Sequence, residues 1–215
     1  MSYTIWKGDP WSSSWRTWFG YYDNQRLKCS KQCLNAAKAA NKILGMIKRT
    51  FTCKSEEIIF QLYKSLIRPR LEYCIQAWCP HLRKDIGLLE KVQRRATRLI
   101  YSLHDLPYYD RLKIFKLTTL VTRRVRGDLI EVFRIINAFE EVDFNISLKI
   151  ASSTNLRGHS LKLYKHNLRL DTRKYFFSQR VIDMWNKLDT DVIACRRVTI
   201  FKKYLENYIF NQGLI

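Results

Sequence analysis

The sequence predicts a mainly α fold, a helical bundle with one small β-hairpin in its C-terminal half. Three observations point there. From Cys29 onward apolar residues recur at the helical period through most of the chain. Strand-like alternation is confined to Leu161, Leu163, Leu168 and Leu170, around Lys165, His166 and Asn167. Gly and Pro are few, seven and four, so the periodic runs are seldom interrupted. No repeat recurs at a fixed interval.

The chain divides into three parts. Residues 1–26 form an irregular lead-in with four of the six Trp (Trp6, Trp11, Trp15, Trp18) and no sustained period. Its aromatics could stack on bases, but a segment unrelated to the remainder is the simpler reading. Residues 27–139 form a helical region. A first helix is capped by Ser30 and runs to about Arg49, with Leu34, Ala37, Leu44 and Ile47 inward. A second begins at Ser55, places Glu56 and Glu57 at the positive end of its dipole, and buries Ile59, Leu62, Tyr63 and Leu66. Pro69 kinks or ends it. A further turn or two carries Leu71, Ile75 and Trp78, before Pro80 breaks the pattern and Asp85 caps the next helix. Short helical pieces span Leu103 to Lys116, Pro107 opening one of them. A long helix runs from about Thr119 to Phe139 on Val121, Val125, Leu129, Val132 and Ile136. Residues 140–215 form a C-terminal region with the hairpin and two helices. One runs from Asp171 or Thr172 to about Leu188, burying Phe177, Val181, Met184 and Trp185. The other is capped by Thr199 and buries Phe201, Tyr204, Leu205 and Tyr208.

Charge directs the functional reading. Lys and Arg number 39 against 19 Asp and Glu, a formal net charge of +20. The helix after Asp85 sorts it into stripes. Leu88, Leu89, Val92, Ala96 and Leu99 share one face, while Lys91, Arg94, Arg95 and Arg98 share another with no acid among them. Solvated faces mix signs, because i,i+4 pairs of opposite charge are favourable. A stripe of one sign repels itself and suits a polyanion, of which nucleic acid is the commonest. Arg123, Arg124 and Arg126 crowd the positive end of the long helix. They either contact phosphate or carry a small surface penalty. Arg157 and Lys162, with Lys165 and Arg169, form a second basic patch or a solvated strand face.

Several function classes find no support. The chain has no Gly-rich phosphate loop and none of the common zinc-protease or serine-hydrolase motifs. Tyr21-Tyr22-Asp23-Asn24 resembles a polymerase motif only superficially, since Asn24 cannot supply the second metal-binding charge. The six Cys read as free thiols in an intracellular core; Cys74, Cys79 and His81 lack a second ligand pair for zinc. His81, His104, His159 and His166 read as structural or surface residues. No cofactor or metal is expected. No apolar run reaches the roughly 18 residues of a membrane span, and no secretory leader pattern opens the chain. An intracellular protein, nuclear or cytoplasmic, is expected.

The blocks Leu62 to Cys74 (LYKSLIRPRLEYC), Gln76-Ala77-Trp78 and Leu88 to Arg98 (LLEKVQRRATR) carry a resemblance. So do Leu117 to Leu120, Arg123-Arg124, Arg126 to Ile130, Arg157 to Leu161, and Trp185-Asn186. In this order, from about residue 27 onward, they resemble non-LTR retrotransposon (LINE-type, Jockey-like) reverse transcriptases. The matching blocks of that family lie after the polymerase palm, in the thumb and C-terminal region. The resemblance implies a thumb-like helical module that grips the primer–template duplex. Lys91, Arg94, Arg95, Arg98, Arg123, Arg124 and Arg126 would then contact RNA or DNA backbone. It also implies that the paired catalytic aspartates lie in a palm absent from this chain, which alone would be a truncated fragment and no polymerase. The chain departs from the family at Arg70 (usually His), at Asp189 (usually Pro) and across Tyr101 to Lys116. Two other readings compete: a protein-interaction remnant, and a retroelement relic without function.

Overall fold

The structure, a computed structural model, describes residues 29–139, 148–151, 158–167 and 171–211. The lead-in 1–26, Arg157, Arg169 and the second predicted strand at Leu168 and Leu170 lie outside the described residues.

The described chain is mainly helical. Helix α1 (Cys29–Thr50) buries Cys33, Ala36, Ala37, Ala40, Leu44 and Ile47. Ser30 lies inside it, and its hydroxyl donates across to Asp85 (2.6 Å) instead of capping its own helix. Helix α2 (Glu56–Leu62) starts after Ser55, whose backbone is extended but whose side chain makes no capping bond. It continues into a π-helical turn, Tyr63–Ile67, and then α3 (Arg68–Glu72). Pro69 therefore does not end the helix. It falls in the first turn after the π segment, where its missing N–H and fixed φ are tolerated. The π turn also shifts the register, so Ile59, Tyr63, Ile67 and Leu71 form the buried line while Leu66, expected inside, is exposed. Cys74, in the left-handed region (φ 51°), starts the short α4 (Ile75–Trp78).

Helix α5 (Arg83–Thr97) is the basic one. Its apolar side, Leu89, Val92 and Ala96, packs on the small-residue face of α1, where alanines permit close approach. Bonds at Ser30–Asp85 and Asn41–Arg95 rise together along both helices, so α1 and α5 run parallel. A 3₁₀ turn (Tyr101–Leu103) leads to α6 (Tyr108–Ile114), opened by Pro107. Helix α7 (Leu120–Ile136) is capped by Thr119, whose hydroxyl accepts from the Thr122 N–H. It belongs to two cores. Leu120 closes the first, built from α1 to α6, whereas Leu129, Val132, Phe133 and Ile135 enter the second, built with the C-terminal helices.

Two C-terminal expectations are corrected. The helix predicted from Asp171 to Leu188 is three short ones: α8 (Asp171–Lys174), α9 (Phe177–Arg180) and α10 (Ile182–Asn186). Extended backbone at Phe176 separates the first two. The predicted hairpin is also absent among the described residues; Leu163 instead forms an isolated antiparallel bridge with Ile150. Local chemistry holds Leu163 in place. The Asn186 carboxamide accepts from the Leu163 N–H and donates to the Leu163 carbonyl, both at 2.9 Å. With those backbone groups occupied by a side chain, the alternating segment has no free ladder edge there. Helices α11 (Thr190–Ile193) and α12 (Val198–Asn211) follow; α12 buries Phe201, Leu205 and Ile209 at i,i+4 spacing and leaves Tyr204 exposed.

Candidate nucleic-acid interface

The α5 stripe exists as a surface. Lys91, Arg94, Arg95 and Arg98 are all exposed, on the side away from the core. Arg83 and Lys84, about two turns before Lys91 on the same line, are exposed too. Gly87 falls between them, and a Cβ there would meet nothing within 4 Å. The two acids of α5 are turned away from the stripe. Asp85 is buried against Ser30. Glu90 accepts from the Tyr108 hydroxyl and from the Leu120 N–H (3.1 Å), so it serves the N-terminus of α7. Among the described residues no carboxylate forms an ion pair with Lys91, Arg94, Arg95 or Arg98. Arg95 extends the surface onto α1 by donating to Asn41 (3.2 Å), beside which Lys38 and Lys42 are exposed.

At its C-terminal end the stripe meets α6. The Arg94 guanidinium carbon lies 4.7 Å from the centroid of the Tyr108 ring, and that of Arg111 lies 5.8 Å from it, a cation–π arrangement. The ring is fixed from below. Gln93 donates to the Tyr108 oxygen (2.9 Å) and to the Thr118 carbonyl (3.0 Å), and accepts from the Tyr63 hydroxyl (2.5 Å). Burial pushes both phenols above their ordinary pKa, and the hydrogen bond to Glu90 raises Tyr108 further. Both rings therefore stay neutral. Tyr101 is 93% exposed just beyond Arg98, and Tyr109 is 61% exposed beside Tyr108.

The arginines of α7 are placed differently from the expectation. Arg123 pairs with Glu72 through Nε (2.5 Å) and Nη2 (3.3 Å), and Glu72 also accepts from Arg68. Burial raises the Glu72 pKa, against the pull of Arg68. Arg124 is 3% exposed, and none of its guanidinium nitrogens has a hydrogen-bond partner. It lines a half-open cavity of about 290 Å³ with Asp128, Arg180 and Tyr175, on whose ring His81 stacks. Arg126 is half-buried, with its Nε enclosed and unpartnered. These three do not continue the α5 stripe, because Arg123 is drawn to Glu72 on α3 and Arg124 faces the cavity lined by Tyr175 and Arg180. Glu72 and Glu90 bring negative charge to the helix end that carries Arg123, Arg124 and Arg126.

The second patch is likewise divided. Lys162 is half-buried, its Nζ 3.2 Å from where a Cβ on Gly158 would stand. Lys165 pairs with Asp183 (2.5 Å). His159 is buried with Nε2 3.2 Å from the Trp185 carbonyl, and burial lowers its pKa. Trp185 donates to the Leu161 carbonyl (2.8 Å). The segments around residues 158–163 and 185–186 thus build a structural joint. Sequence reasoning missed Arg111, which is enclosed beside the Tyr108 ring; only its position three residues after Tyr108 on a short helix hinted at it.

Among the described residues no cluster of three His, Cys, Asp or Glu side chains is placed to hold a metal ion, and no helix is long and apolar enough to cross a membrane. No protein-family model, curated protein or solved structure matches the chain.

Proposed function

We propose that this chain binds the sugar-phosphate backbone of RNA or DNA through the α5 stripe, as the thumb-like region of a non-LTR retrotransposon reverse transcriptase would. The observation that carries the reading is the exposure of Lys91, Arg94, Arg95 and Arg98 on one helix face with no ion-paired acid. Such a face contacts phosphates, which position a nucleic acid without reading its sequence. Exposed Tyr101 and Tyr109 at the same end offer rings on which unpaired bases can stack. The role proposed for the chain is binding; the chemistry of polymerisation is assigned to the palm of the parent family.

Titration of a labelled duplex at several salt concentrations tests this. If about six phosphates are neutralised, log K falls against log salt with a slope of roughly −5. The triple variant Arg94→Glu, Arg95→Glu, Arg98→Glu removes binding. Arg123→Glu, which breaks a contact with Glu72 away from the stripe, leaves the slope unchanged. Salt-independent binding, or binding that survives the triple reversal, rules out the electrostatic mechanism. A protein partner retained by the triple variant would favour the interaction reading instead.

A further inference from the structure

We propose that Arg94, Arg98 and Arg111 form one defined phosphate-binding site at the C-terminal end of the α5 stripe, with Tyr108 as its floor. The nucleic-acid source of that phosphate rests on the function proposed above; the site itself does not.

Arg111 is the unusual member. It is 3% exposed, yet its Nε and Nη1 have no hydrogen-bond partner. A buried guanidinium without an acceptor is costly, and such a group in a folded protein calls for an absent partner. Among the described residues no carboxylate serves it. Glu90 is held by Tyr108 and Leu120, and Asp110 reaches Lys113 (3.6 Å). The neighbours are instead cations. Arg94 shares the Tyr108 ring with Arg111, and Arg98 lies one turn beyond Arg94 on the same face. Burial first, then the charges of Arg98 and Arg94, lower the Arg111 pKa. Three guanidiniums in mutual repulsion are stabilised by a compact oxyanion between them. Phosphate fits best, because its oxygens accept several charge-assisted N–H bonds at once. The rigid Tyr63–Gln93–Tyr108–Glu90 network keeps the ring, and so the spacing of the two guanidiniums on it, in place. The rest of the stripe attracts a backbone diffusely; this end would fix one phosphate.

Thermal melting in inorganic phosphate, against chloride of the same ionic strength, tests the site directly. Phosphate raises the Tm of the wild-type chain, since a ligand that binds only the folded state stabilises it. Arg111→Met loses that shift while melting in chloride no lower than wild type, because it removes an uncompensated buried charge. Arg98→Ala, at an exposed position, is the second variant and loses most of the shift without disturbing the core. With oligonucleotides, Arg111→Met weakens binding about tenfold or more, the loss of a charged hydrogen-bond set. A loss confined to strands carrying a terminal phosphate assigns the site to strand ends. An equal loss with strands lacking it assigns the site to an internal phosphodiester. A phosphate shift that persists in both variants, or is absent from the wild type, overturns the site even if the stripe binds nucleic acid. A shift that depends on Arg111 in a chain that binds no oligonucleotide upholds the site and rejects the nucleic-acid reading.

Discussion

Single residues show how charge is partitioned in this protein. Arginine appears in three settings: exposed on α5 with no ion pair among the described residues, ion-paired at Arg123 and Arg180, and enclosed at Arg111 and Arg124. Arg180 holds Asp128 through two bonds, Nε (2.8 Å) and Nη2 (2.9 Å), and also donates to the Ile75, Gln76 and Tyr175 carbonyls. One side chain thus ties α9 to α7 and to α4. Burial raises the Asp128 pKa, against the pull of Arg180. Arg180→Ala leaves that carboxylate uncompensated and is expected to cost about 3–5 kcal/mol. The pH dependence has a definite sign. A carboxylate whose folded pKa lies above its unfolded value binds more protons when folded, so its contribution falls as pH rises through that window. Denaturant unfolding should therefore show the penalty of Arg180→Ala largest at neutral pH. It should shrink as the medium is acidified and Asp128 takes up its proton.

At the scale of the element, α5 is the decisive piece, because one helix carries both a packing face and an exposed basic face. Its apolar side is set by the small residues of α1, and its polar side is left free by the inward turn of Asp85 and Glu90. Gly87 is the weak point of this helix. Glycine in a helix interior costs roughly 1 kcal/mol relative to alanine, and a Cβ at Gly87 meets no neighbour. Gly87→Ala should raise stability by about that amount, read as a higher denaturant midpoint, with no change in the salt slope of binding. A lowered midpoint would mean that the helix needs the glycine for a close approach not visible in its packing. The π turn at Tyr63–Ile67 is the other informative element: it lets Pro69 stay inside a continuing helix and rotates Leu66 out to solvent.

At the scale of the molecule, two cores meet along α7. The first gathers α1 to α6 and supports the basic surface; the second is organised around Trp185, Phe133 and Phe201, all fully buried. The Phe133 and Phe201 rings stack with centroids 4.1 Å apart, joining α7 to α12. Phe201→Ala should cost about 3–5 kcal/mol by opening a cavity there. Its effect on nucleic-acid affinity should be small below the melting point, since the α5 surface stands on the other core. Equal loss of binding and stability in that variant would show that the two cores do not hold their surfaces independently.

Helical periodicity and charge sign were readable from residue order alone. They are local properties: α1, α5 and α7 appear close to their expected bounds, and the exposed face of α5 follows from spacing on one helix. Which other cations stay in solvent is a matter of contact between distant segments. Arg123 meets Glu72, Arg124 is enclosed beside Tyr175 and Arg180, and Arg111 comes to share the Tyr108 ring with Arg94 after the turn at Tyr101–Leu103. The surroundings of Leu163 are settled the same way, because its N–H and carbonyl are held by the side chain of Asn186, 23 positions away. Periodicity tells which side of an element seeks the core, whereas the neighbour that neutralises a charge or occupies a backbone edge is chosen only when the chain has folded around it.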